Sequence, residues 1–318
     1  MLNKNLRIGV VGDLMIDINY FCSQKGISQE NFRPILSINK SIFYPGGAAN
    51  LAKNLSLLGC KTELFGFIAN DFNGKQLRSL ISENIDSSNL IINSSPAVFT
   101  TTKLRVFLNN RQIERIDNDY YLKNKLIRKK VFSKIFYNFS RLDAIIISDY
   151  DKGVIDSVNI QSIIKKCLKY KKRIYVDPKF KNWKIYRNSF FIKPNLKEME
   201  KACNKSNLSQ SEIFKEAEKM LKLYNFNYIL ITMGEKGMIL VSKNEKFHIK
   251  STKRINANIV GAGDVVMASV VKFYESFKDM KKAIILSDIA AGIGISKIGT
   301  STASLNEIEK NSKKIAFF

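Results

Sequence analysis

Arg7-Ile-Gly-Val-Val-Gly-Asp-Leu-Met-Ile-Asp17 begins as a short apolar run and ends in a glycine and two carboxylates. A buried strand reads this way, and acids emerging at its carboxyl end stand where open α/β sheets bind ligands. The cadence repeats. Strand-like runs at 7–11, 63–68, 144–148, 173–176, 190–192 and 228–232 alternate with helical patterns at 48–58, 74–83, 123–139, 160–170 and 212–224. This is the βαβ signature of an α/β fold: a doubly wound, mostly parallel sheet with helices on both faces. Two segments, about 19–43 and 98–117, are β-rich with no helix between them. They are expected to form a small β-sheet lid over the crevice at the strand ends, although ordinary hairpin excursions read the same.

The 318 residues can bury a large core and are expected to form a single domain, 1–318, since no linker or repeat divides them. The start lacks a signal-peptide pattern and no run of eighteen apolar residues follows, so a soluble, cytoplasmic protein with no membrane association is expected. Cys22, Cys60, Cys167 and Cys203 lie far apart, and with His248 they make no usual zinc spacing. The formal charge of +24 is spread over most helical patterns and is mostly lysine, which argues against a nucleic-acid partner. A basic field of this kind still recruits anionic small substrates.

Near the other end, Asn258-Ile-Val-Gly-Ala-Gly-Asp264-Val-Val-Met-Ala268 sets two glycines and an acid at the mouth of a helix-like run reaching about Tyr274. Amides of Gly261, Ala262 and Gly263 at a helix N-terminus suit an anion, and Asp264 beside them suits a general base. A plain connection has the same spelling. Asp13 and Asp17 are placed to accept hydrogen bonds from sugar hydroxyls, or to serve as a turn and a cap. Pro45-Gly46-Gly47-Ala-Ala-Asn50 lets a ligand approach the backbone of a helix entrance, or only packs tightly. Ser148-Asp149-Tyr-Asp-Lys152-Gly153 ends another strand. Lys193-Pro-Asn195-Leu196-Lys197-Glu198 reads as a capping box, or as oxygen ligands for Mg²⁺ at nucleotide phosphates. Thr232-Met-Gly234-Glu-Lys-Gly237 is a strand-end turn that fits nucleotide phosphates or a hairpin.

In this order, the motifs resemble the ribokinase-like (PfkB) carbohydrate kinases across essentially the whole chain. Val11–Asp17, Tyr44–Asn50, Thr102-Lys-Leu-Arg105, Ser148-Asp-Tyr150, Asp177-Pro-Lys179 and Lys297–Thr302 look like the D-glycero-β-D-manno-heptose-7-phosphate kinases. The resemblance implies ATP and Mg²⁺ as cofactors and phosphorylation of the anomeric hydroxyl of heptose 7-phosphate, a step toward lipopolysaccharide. It implies Asp264 as base, with Gly261, Ala262 and Gly263 as anion hole. It gives Asp13, Asp17, Gly46, Gly47, Asn50, Asp149 and Lys152 to the sugar, and Arg105, Arg115 and Lys179 to its 7-phosphate. Asn195, Leu196, Lys197, Glu198, Thr232, Gly234 and Gly237 fall to the nucleotide phosphates, with Glu198 and Asn195 serving Mg²⁺ through water. Asp288 to Gly292 falls to the adenine side.

It also implies a homodimer through the lid. The chain ends at Phe318 without the second domain's histidine motif, so a stand-alone kinase with a separate adenylyltransferase is expected. Asn258, Val260 and Val265 depart from oxygen-bearing residues usual in the family, and Asp288 from an Asn. The departures put monovalent-cation support in question and leave open a weakened, binding-only homologue. Another sugar kinase of the superfamily, for ribose, fructose or a nucleoside, is the nearer alternative. An oxidoreductase is set aside because no G-x-G-x-x-G follows the first strand.

Overall fold

The computed structural model describes residues 5–81, 85–179, 182–251, 261–295 and 303–312. Its main sheet runs, from edge to edge, β4 (Lys61–Phe65), β1 (Arg7–Gly12), β9 (Ala144–Ser148), β10 (Arg173–Asp177), β11 (Phe191–Ile192), β12 (Tyr228–Thr232), β13 (Met238–Ser242) and β14 (Lys246–Ile249). The six strands from β4 to β12 are parallel, and β13 and β14 turn back antiparallel. Because β4 and β9 lie on opposite sides of β1, the strand order reverses there, and a crevice opens at the carboxyl end of β1.

Strand alternation divides the core between two layers of helices. Ala144 and Ile146 pack with α1 (Ala48–Leu57), α2 (Phe72–Ile81), α7 (Ala262–Phe277), α8 (Met280–Ile295) and α9 (Leu305–Ser312). Ile145 and Ile147 pack on the other face with α3 (Lys125–Asn138), α4 (Ser157–Lys169), α5 (Leu196–Ala202) and α6 (Gln210–Tyr224). Helix starts follow the capping chemistry of the sequence: Asn124 and Asp156 cap α3 and α4, and Asn195/Glu198 and Ser209/Glu212 form capping boxes on α5 and α6.

The run expected at 63–68 is two strands. At Gly66 the chain bends away from β4 into β5 (Phe67–Ala69), which pairs with β6 (Ile91–Asn93). The bend presses Gly66 under the strand ends, where a Cβ would lie 2.9 Å from the Gly12 carbonyl oxygen. The β-rich segments form the lid, a four-stranded sheet ordered β3 (Pro34–Gly47), β2 (Leu14–Ile27), β7 (Thr102–Leu108) and β8 (Arg111–Asn118). It leaves the core just after Asp13 and returns at Gly47, whose positive φ of 59° turns the chain into α1. The Ala48 N–H then donates to the Asp13 carbonyl oxygen at 3.0 Å, closing the excursion. Among the described residues no helix is long and apolar enough to cross a membrane.

Gly12 holds β1 against β9 so tightly that a Cβ would fall 2.0 Å from the Ser148 carbonyl oxygen, whereas at Gly26, in the lid, it would meet nothing. Gly12→Ala is expected to cost about 3 kcal/mol or more in urea unfolding, as overpacking against backbone does. Gly26→Ala is expected to stay within about 0.5 kcal/mol.

Candidate active site

Helix α7 begins at Gly261, which adopts the left-handed conformation (φ 82°) that a side chain resists. The N–H groups of Asp264 and Val265 close back on the Gly261 carbonyl oxygen at 3.1 Å each. The leading amides of Ala262 and Gly263 therefore stand at the mouth of a sixteen-residue helix, where its dipole favours negative charge.

Asp264 sits in the first turn, 5% exposed. Its two oxygens are held from opposite sides: Asn50 Nδ2 donates to Oδ2 at 2.6 Å and the Tyr150 hydroxyl donates to Oδ1 at 3.1 Å. Asn50 is itself fixed from α1, where Asn54 Nδ2 donates to its backbone oxygen at 2.7 Å. Burial first, and then the charge of Asp177, push the Asp264 carboxyl up to about 7, while Asn50, Lys193 and Tyr150 pull it down. A carboxylate poised there exchanges a proton readily at neutral pH, the property of a general base.

These groups face a cleft of ≈ 1180 Å³ between the lid and the carboxyl ends of the strands. Asp17, Gly47, Asn50, Arg105, Arg115, Asp149, Lys152 and Lys179 line its lid end. Asn195, Glu198, Thr232, Gly234, Gly237, Asp288 and Gly292 line the other, with Gly261, Ala262, Gly263 and Asp264 between. The sequence-derived set is thus brought together from both ends of the chain, with four exceptions.

Asp13, Gly46, Leu196 and Lys197 do not line the cleft. Asp13, expected at sugar hydroxyls, instead accepts the backbone N–H groups of Tyr150 (2.9 Å), Lys152 (3.1 Å) and Val154 (3.0 Å). It shapes the 149–154 loop beneath the cleft, and burial and then the nearby Asp149 charge raise its carboxyl to about 6. Gly46 makes room: a Cβ there would lie 2.4 Å from Asp17 Oδ2. Leu196 and Lys197 belong to the first turn of α5.

Arg105, Arg115 and Lys152 at the lid end are already paired with carboxylates. Arg105, 7% exposed, donates from Nη1 to Asp17 Oδ1 at 2.6 Å. Arg115 grips Asp117 with two bonds of 2.8 and 2.9 Å, and Lys152 pairs with Asp119. Lys179 lies 5.9 Å over the Tyr150 ring. At the opposite end Asn195 and Glu198 bond to each other's backbone N–H groups at 2.9 and 2.8 Å, so the capping box is real. It leaves oxygen atoms at the cleft, a donor set suited to a hard cation that takes its other ligands from phosphates and water. No group of three or more His, Cys, Asp or Glu able to hold a metal occurs among the described residues. Asn258 and Val260, and the stretch 297–302, lie outside the described residues. Val265 is buried in the core.

Sequence reasoning gave no role to Tyr150, Asp177 or Lys193. All three line the cleft from positions at or just after the carboxyl ends of β9, β10 and β11. Their position at the ends of parallel strands was the available signal.

A doubly wound sheet, a β lid and a buried acid at an anion-binding helix mouth define a ribokinase-like carbohydrate kinase. The family model for pfkB family carbohydrate kinases matches residues 5–307, and the chain belongs to that family. It is 32% identical over 306 residues to the bifunctional protein HldE of Helicobacter acinonychis, covering 95% of this chain and 65% of that protein. The chain thus spans about two thirds of the length of these curated relatives. An uncharacterized sugar kinase of Buchnera aphidicola is 30% identical over 309 residues, 96% of each chain. Among solved structures, phosphofructokinase-2 from Escherichia coli in complex with substrates and products superposes with a TM-score of 0.79 at 17% identity, covering 98% of this chain and 100% of that one. Ribokinase from Thermotoga maritima does so with 0.73 at 22%, covering 97% and 99%.

A base must be ionised to take a proton, so with Asp264 in that role turnover is expected to rise as pH increases through about 7. Asn50→Ala and Tyr150→Phe each remove a hydrogen bond to the charged form, so each should move this acid limb upward by roughly one pH unit in a kcat/KM profile. A limb that stays put in both variants would contradict the arrangement.

Proposed function

We propose that this chain transfers the γ-phosphoryl group of ATP to the anomeric C1 hydroxyl of D-glycero-β-D-manno-heptose 7-phosphate, yielding the 1,7-bisphosphate and ADP. The observation that carries the kinase chemistry is the Asp264 carboxylate, poised near neutrality in the first turn of α7 beside the Ala262 and Gly263 amides. Asp264 takes the proton of the attacking sugar hydroxyl. The amides receive the charge of the phosphoryl group.

Likeness to the bifunctional HldE proteins over nearly the whole chain supports a heptose phosphate as the acceptor. So does the concentration of Lys103, Arg105, Arg115, Lys152 and Lys179 at the lid end of the cleft. In this reading Asp17, Gly47, Asn50 and Asp149 hold the sugar, while Arg105, Arg115 and Lys179 meet its distal phosphate. Thr232, Gly234 and Gly237 lie along the nucleotide, Asp288 and Gly292 beside its base, and Glu198 and Asn195 hold Mg²⁺, which screens the phosphate charge. The reaction belongs to the cytoplasm, where ATP is available.

A homodimer through the lid is supported by the exposed Ile27, Phe32, Ile35, Ile38, Ile113 and Ile116 that this sheet carries. A second reading is a sugar kinase that does not require a distal phosphate. The carboxylate partners of Arg105, Arg115 and Lys152 favour it, since a phosphate must compete with Asp17, Asp117 and Asp119.

With Mg·ATP, ADP release should depend on heptose 7-phosphate, exceed that with fructose 6-phosphate or ribose, and vanish in Asp264→Asn. Preference for an unphosphorylated sugar would select the second reading. Arg105→Ala should raise the KM for the sugar phosphate far more than that for ATP; equal changes would remove Arg105 from the phosphate site.

A further inference from the structure

Lys193 is a buried cation beside the mouth of α7. It follows β11 directly, its side chain is 4% exposed, and its ammonium makes an ion pair of 3.1 Å with Asp177 at the end of β10. A Cβ built on Gly263 would lie 3.4 Å from Lys193 Nζ, so the ammonium rests against the first turn of α7. Helix N-termini carry partial positive charge, and lysines are favoured at the opposite end. Asp177 alone accounts for a counter-ion, but not for aiming that counter-ion at another positive pole.

An anion in the cleft at this point would meet the ammonium and the helix mouth together. Lys193 lines the cleft together with Asp177, Glu198, Gly263 and Asp264. Burial works against its charge, but the carboxylates of Asp177 and Glu198 hold its ammonium above the ordinary lysine value. The absence of a side chain at Gly263 lets the ammonium lie close to the helix mouth.

We propose that Lys193 is a catalytic cation whose ammonium contacts the transferring phosphoryl group opposite the Ala262 and Gly263 amides, with Asp177 holding it in place. This inference rests on the kinase reading given above. In the step it serves, the bond from the γ-phosphorus to the β–γ bridging oxygen breaks and its electron pair stays on ADP. A new bond forms from phosphorus to the sugar hydroxyl oxygen, whose proton passes to Asp264. Lys193 keeps its protons and supplies charge only, the task that phosphoryl transfer with a loosely bonded transition state most requires.

The test compares the wild-type protein with Lys193→Met and Lys193→Arg, after thermal melting has shown which variants are folded. Lys193→Met should lower kcat by ~10²–10³-fold, the range for removing one oriented charge-stabilising donor. The loss should persist at every pH, and Lys193→Arg should restore part of it. A lysine that only balances Asp177 and Asp264 predicts something else: an acid limb moved to higher pH, with the wild-type rate recovered on the alkaline side. That result would overturn the proposal.

A binding measurement separates this inference from the kinase reading. With Mg²⁺ and ADP, adding aluminium fluoride, a mimic of the phosphoryl group in flight, should tighten nucleotide binding in the wild type. It should do so at least tenfold less in Lys193→Met, while ADP alone binds both alike. Equal tightening in both proteins, or none in the wild type, overturns the role of Lys193. Failure of every sugar to be turned over by the wild type, with that difference intact, overturns the kinase reading and leaves the Lys193 contact standing. If Lys193→Met does not fold, Lys193→Gln, which also removes the charge, carries both measurements with the same expectations, and wild-type kcat together with wild-type fluoride tightening in that variant overturns the proposal.

Discussion

The grip of Asn50 and Tyr150 on the Asp264 carboxylate organises this molecule. The three residues come from α1, the loop after β9 and the first turn of α7, and the two bonds span 214 and 114 positions of the chain. A carboxylate removed from water is costly unless its oxygens are satisfied. Here each oxygen has one donor, enough to keep the group inside but not enough to return it to the ordinary carboxylate range. That balance between burial and hydrogen bonding holds the carboxyl at about 7.

A second buried carboxylate builds the frame for the first. Asp13 gathers three backbone N–H groups of the 149–154 loop, and one of them belongs to Tyr150. Its own backbone oxygen receives Ala48 N–H at the start of α1, two residues before Asn50. Both donors to Asp264 are thereby referred to a single residue at the end of β1, where the sheet order reverses. Around them the cleft pairs opposite charges: Arg105 with Asp17, Arg115 with Asp117 and Lys193 with Asp177. The net charge of +24 gives the chain as a whole a field that favours anions at longer range.

Much of the fold was legible because apolar periodicity and capping are local properties. The parallel strands stand where apolar runs meet glycine or aspartate, and Asn124, Asp156 and Ser209 start helices as their side chains dictate. Where the reading failed, a distant neighbour decided. The run at 63–68 breaks in two because Gly66 must pass beneath Gly12 and Leu14, which no local pattern records. At Asp13 the sequence left open a sugar contact or a turn, and here too distant neighbours gave the carboxylate to a turn. Its position at the strand end was visible, but the three amides that occupy it were not.

What the sequence determined by itself was the order of strands and helices and the presence of an acid behind two glycines at a helix mouth. These follow from side-chain periodicity and backbone freedom within a few residues. Only the tertiary structure decided which carboxylate is poised to accept a proton, which cations are already held, and that a lysine faces the positive end of α7. Burial and Coulomb interactions depend on separation in space, and the chain brings Asn50, Tyr150, Asp177, Lys193 and Asp264 together only when the sheet has closed around β1.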